Sequence, residues 1–230
     1  MPDTIETGDI FFLYSPRSSA VRGPSEVCEL AFVLSPDRAH PRRLLVVRGN
    51  RLPPLASPEA PAGPGAIADV VAVRTRPEVL VEVLEQRADH AVGAREGSLH
   101  ARPCGEGRYA LALHDGHTDL SYALELPASL GPVQRDLGIA KEASYRVTVR
   151  VPVGVMPPGP PAGLGAVMPR VDLDLLDLEG SQLVLQPAAE PGLPVPARQP
   201  EGPATAEIFG ELKLTAAQHP TEPLYQGIWK

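Results

Sequence analysis

The sequence predicts a strand-dominated α+β fold: a mixed or antiparallel sheet curling into a small barrel or sandwich, with one main helix near residues 76–87. Three observations carry this. Apolar segments of strand length recur between turn-forming residues, two stretches alternate strictly, and one segment joins a helix start signal to helical spacing.

The first strand is the continuous apolar run Ile10 to Tyr14, whose length and lack of alternation suit burial on both faces. Glu29 to Leu34 and Leu44 to Arg48 follow, separated by the turn-rich Ser-Pro-Asp-Arg-Ala-His-Pro segment, and can form a hairpin with a long loop. Ile67 to Arg74 reads as a strand running into the helix. There Thr75 stands three positions before Glu78, Pro77 suits the first turn, and Val79, Leu80, Val83 and Leu84 make one apolar stripe.

Gly107 to Leu126 carries the strongest local signal. Asp115-Gly116 favours a two-residue type I′ turn, which sets His114 opposite His117, Leu113 opposite Thr118, Leu111 opposite Leu120 and Tyr109 opposite Tyr122. A short helix is expected near Pro132 to Leu137. In Ser144 to Pro152, Tyr145, Val147, Val149 and Val151 face one way, while Ser144, Arg146, Thr148 and Arg150 face the other. Gln182 to Gln186 adds a strand, and Leu173 to Leu178 is ambiguous between helix and strand.

Proline marks the organisation, with 28 residues in the chain, twelve of them between Pro152 and Pro203. Such runs deny donors to helix and sheet alike. We therefore expect a main domain over residues 1–186 with proline-rich loops at 52–66 and 152–169, and a connector over 187–204. The segment 205–230 holds Phe209, Leu212, Tyr225, Ile228 and Trp229, which are expected to bury against the main domain.

The acidic opening lacks the basic and apolar regions of a secretory signal, and no stretch has the roughly 20 apolar residues of a spanning helix. The sequence thus predicts a soluble cytoplasmic protein. Abundant Ala, Pro, Gly and Arg beside three lysines and one asparagine points to a GC-rich bacterial genome. A net charge of -7 opposes broad nucleic-acid binding, and Arg42, Arg43, Arg48 and Arg51 read as solvated charges flanking one strand.

Phosphate-loop, nucleophile-elbow and zinc-protease motifs are absent from the sequence. Cys28 reads as a core side chain and Cys104 as a loop residue, with no metal spacing between them. Asp172, Asp174, Asp177 and Glu179 read as a polar face. One constellation has ligand chemistry: His114, His117 and Asp119 share a hairpin face, and two imidazoles with a carboxylate suit a divalent transition metal. His40, His90, His100 and His219 read as loop residues that spacing places in no site. The leading expectation is a non-enzymatic binding or accessory protein with a protein partner. The alternative is a metal-dependent hydrolase using His114, His117 and Asp119, and that metal is the one cofactor the sequence suggests.

Overall fold

In the computed structural model, residues 3–38, 40–55, 61, 63–92, 99–152, 167–168, 171–188, 195 and 206–230 are described. Residues 153–166 and most of the 187–204 connector lie outside them. The strands are β1 (Asp3–Pro16), β2 (Val27–Pro36), β3 (Arg42–Val47), β4 (Ala66–Arg74), β5 (Arg102–His114), β6 (His117–Leu126), β7 (Glu142–Arg150), β8 (Val167–Met168) and β9 (Gln182–Pro187). The helices are α1 (Pro77–Val92), α2 (Pro132–Leu137), α3 (Leu173–Leu176), α4 (Glu207–Glu211) and α5 (Glu222–Tyr225). The strands pair in the order β6-β5-β1-β2-β3-β4-β9-β7, and a β6–β7 ladder closes the ring, so eight antiparallel strands form a barrel with β8 appended to β7. Closure leaves the barrel itself no open edge.

Each strand sends alternate residues into the barrel. Along β1, Ile10, Phe12 and Tyr14 join the interior cluster with Phe32, Tyr109, Tyr122 and Tyr145. Phe11 and Leu13 belong to a second, outer cluster. That division explains why the run needs no polar face. The outer cluster is covered by α1, through Leu80, Val81 and Leu84, and by the C-terminal segment, through Ile208, Leu212, Leu214 and Leu224. The α1 stripe is therefore rotated from the expected one: Val81 and Ala88 are buried while Val79 is half-buried, and the helix runs five residues past 87.

Both ends of the barrel are closed. At one end, Val133 and Leu137 of α2 enter the interior cluster, and Trp229 packs on Tyr14 with ring centres 5.3 Å apart. The buried Gln134 ties this end together: its Nε2 donates to the carbonyls of Cys104 (2.7 Å) and Pro223 (2.9 Å), joining α2, β5 and the C-terminal segment. At the other end, Leu175 and Leu176 of α3 pack inward above a buried ion network. There Arg43, fully buried, donates to Glu6 and Asp177 at 2.6 Å each, and the Tyr109 hydroxyl donates to Glu6 at 2.7 Å.

Several expectations are corrected here. Arg43 is an interior residue because β3 turns it toward Glu6, and it is no solvated edge charge. Cys104 lies in β5, fully buried, and is no loop residue. Leu173–Leu176 is helical, with the Asp172 carboxylate accepting from the Asp174 amide at its start. In the C-terminal segment Leu212 is buried, but Tyr225 and Ile228 are 38% and 42% exposed, since the segment covers the barrel with its other side.

Candidate metal centre on the hairpin

The β5–β6 hairpin has the register expected from its turn: His114 pairs with His117, Leu113 with Thr118, Leu111 with Leu120 and Tyr109 with Tyr122. Asp115 and Gly116 have φ of 47° and 81°, the left-handed pair that a type I′ turn requires. Because Leu120 and Tyr122 point into the barrel, parity sends His117 and Asp119 outward. The Val171 amide donates to the Thr118 hydroxyl at 3.0 Å, which places this hairpin tip beside the end closed by α3.

The structure brings the three predicted ligands together, with one ligand atom from each of His114, His117 and Asp119 lying within 4.8 Å of the others. His117 Nε2 is 3.5 Å from Asp119 Oδ2, and the two imidazole centres are 5.6 Å apart. Asp119 is buried, and its Oδ1 makes no hydrogen bond. A buried carboxylate oxygen in that condition is costly, and a cation would satisfy it. Two features oppose this. Arg146 Nη2 lies 3.2 Å from His117 Nε2, so the guanidinium occupies the nitrogen lone pair a metal would need. The His114 side chain is 44% exposed and faces Asp115 Oδ2 at 3.4 Å, so it is held loosely at the tip.

Three of the four arginines around β3 are paired within the fold: Arg42 with Glu211, Arg43 with Glu6 and Asp177, and Arg48 with Asp69. Glu179 accepts from Arg74 and from the Val73 amide. Burial pushes the Cys104 thiol well above its ordinary range, so it stays protonated and is a poor nucleophile.

The structure also assembles a cluster that sequence reasoning missed. Glu85 of α1, His100 just before β5 and His219 of the C-terminal segment converge to within the same 4.8 Å. Their separations of 15 and 119 residues fit no ligand motif, so nothing in spacing marks them. No family model, curated protein or solved structure matches the chain.

Proposed function

We propose that this chain is a non-enzymatic, cytoplasmic binding protein that holds an acidic protein partner against the outer face of β6, β7 and β9. The observation that carries this reading is the filled barrel. Its central cavity, lined by Ile10, Phe12, Tyr122 and Tyr145 among others, is about 10 Å³, room for roughly one water and no organic ligand. Recognition is therefore assigned to the outside. On one side of the barrel α1 and the C-terminal segment cover the apolar outer cluster. On β7 the outward residues are Arg146, Thr148 and Arg150, both arginines exposed, and Gln182 and Gln186 of β9 stand beside them in register. The two exposed arginines, flanked by Gln182 and Gln186 on β9 and by Asp119 on β6, suit carboxylates on a partner. No helix among the described residues is long and apolar enough to cross a membrane.

The test compares wild-type protein with the R146Q/R150Q variant, which removes both charges and keeps a donor beside His117, in quantitative pull-downs from the native host. The reading expects one stoichiometric partner that the wild type retains and the variant loses, with the melting temperature unchanged. Equal retention by both proteins, or turnover of a small substrate by the purified chain, would reject it.

A second reading, a metal-dependent hydrolase at His114, His117 and Asp119, is favoured by the orphaned Asp119 Oδ1. It requires Arg146 to swing off His117. Metal analysis of protein purified without a histidine tag tests it, with His117→Ala expected to abolish retention.

A further inference from the structure

We propose that Glu85, His100 and His219 form a divalent transition-metal site, with Zn²⁺ as its probe, that fastens the C-terminal segment to α1 and the barrel. His100 Nδ1 lies 3.1 Å from Glu85 Oε1, and His219 Nδ1 lies 4.0 Å from the same oxygen. In a tetrahedral zinc site with bonds near 2.1 Å, adjacent ligand atoms stand roughly 3.4 Å apart. The His100 separation lies near that value and the His219 separation about 0.6 Å above it, so the His219 imidazole has to move toward Glu85 for an ion to enter.

The donors are held in place by the fold. The Ala101 amide donates to Glu85 Oε1 at 3.1 Å, and the Ala101 carbonyl accepts from His219 Nδ1 at 2.8 Å. One residue thus positions both the carboxylate and an imidazole. Burial supports a built site: the side chains of His219 and Glu85 are 6% and 16% exposed, while His100, at 32%, leaves a path from solvent. The imidazole centres are 5.3 Å apart. A cation here meets a carboxylate and two imidazoles, whereas at the hairpin it meets the Arg146 guanidinium. Coordination through Nδ1 moves the proton that His219 gives to Ala101 onto Nε2, so metal binding replaces that hydrogen bond. Two imidazoles with one carboxylate leave a fourth coordination position to water or to the Ala101 carbonyl.

The full chain, made without a histidine tag and stripped of metal, should take up one Zn²⁺ and melt at a higher temperature when loaded. Glu85→Gln keeps an acceptor for the Ala101 amide but removes the anionic ligand, and should weaken Zn²⁺ binding at least about tenfold. His219→Ala should do the same, and His117→Ala should leave uptake unchanged. Should the His219 variant fail to fold, Glu85→Gln decides. The proposal is overturned if wild type takes up no Zn²⁺, if Glu85→Gln binds it equally well, or if His117→Ala abolishes uptake.

Discussion

The β5–β6 hairpin and the C-terminal segment each place histidines beside a carboxylate, and they do so by opposite means. In the hairpin the three residues lie within six positions, and a two-residue turn aligns them. His114 is exposed at the tip, and Arg146 competes for His117. In the latch, Glu85, His100 and His219 meet only because α1 and the C-terminal segment pack on the same outer cluster. The difference teaches that local turn geometry juxtaposes ligands cheaply at a solvated tip, whereas a dry, ordered donor set needs tertiary packing to hold it.

The sharpest way to break this comparison is to remove the segment that builds the latch. Deleting residues 206–230 strips cover from the outer cluster and discards the buried Ile208, Leu212, Leu214 and Leu224. With about 1.5–3 kcal/mol for each large apolar side chain, the loss should exceed about 5 kcal/mol, comparable with a whole domain's stability. Aggregated or molten protein by circular dichroism is the expected outcome. A truncated chain with the wild-type melting curve would show that the latch merely rests on the barrel.

A milder perturbation acts on the same segment through Glu106. Its carboxylate accepts from the Glu207 and Ile208 amides at 2.9 Å each, tying β5 to the start of α4. Burial nevertheless pushes its carboxyl up to about 7 from 4.5, against those two amides. The folded state then holds this proton more tightly than the unfolded chain, so the contribution is complete below about pH 4.5 and is lost as pH rises to about 7. Denaturation of Glu106→Gln against wild type should remove a slope of at most about 3 kcal/mol over that window. Identical slopes would mean that the amides keep the carboxylate ionised.

The hairpin should respond less. Gly116 has φ of 81°, and Gly116→Val forces a β-branched residue into that region, which should cost about 1–3 kcal/mol in a denaturant titration. No clash accompanies the strain, because nothing lies within 4 Å of an added Cβ. A larger loss would mean that the turn also supports the α3-closed end.

How far the sequence could be read follows from the same contrast. The hairpin register was legible because Asp115-Gly116 fixes pairing over residues adjacent in the chain. The strands at Ile10, Glu29, Leu44, Ile67, Ser144 and Gln182 were legible from apolar runs or alternation, although β1 reaches from Asp3 to Pro16. A small barrel was expected from those strands, but their order was not legible: β9 inserts between β4 and β7, a non-local pairing that no periodicity encodes. Arg43 was misread because a lone arginine gives no sign that Glu6 and Asp177, 37 and 134 residues away, will meet it inside. His100 and His219 were illegible for the same reason.

The smallest expected effect is the most informative about the hairpin cluster. His117 is held by contacts to Arg146 at 3.2 Å and Asp119 at 3.5 Å, both at the rim, and its side chain is 18% exposed. Without a bound ion, His117→Ala removes one partially solvated hydrogen bond and frees Arg146 to approach Asp119, its register partner on β6. That new pairing would satisfy the orphaned Asp119 Oδ1 and offset the lost contact, so stability should change by less than about 0.5 kcal/mol. A metal-holding hairpin would respond differently: the substitution would release the ion and carry away its linkage stabilisation, which reaches about 2.7 kcal/mol when metal stands at a hundredfold excess over its dissociation constant. Melting wild type and His117→Ala with and without added Zn²⁺ separates the two. A Zn²⁺-induced rise that survives the substitution assigns the ion to the latch, and a rise that vanishes with it returns the metal to the hairpin.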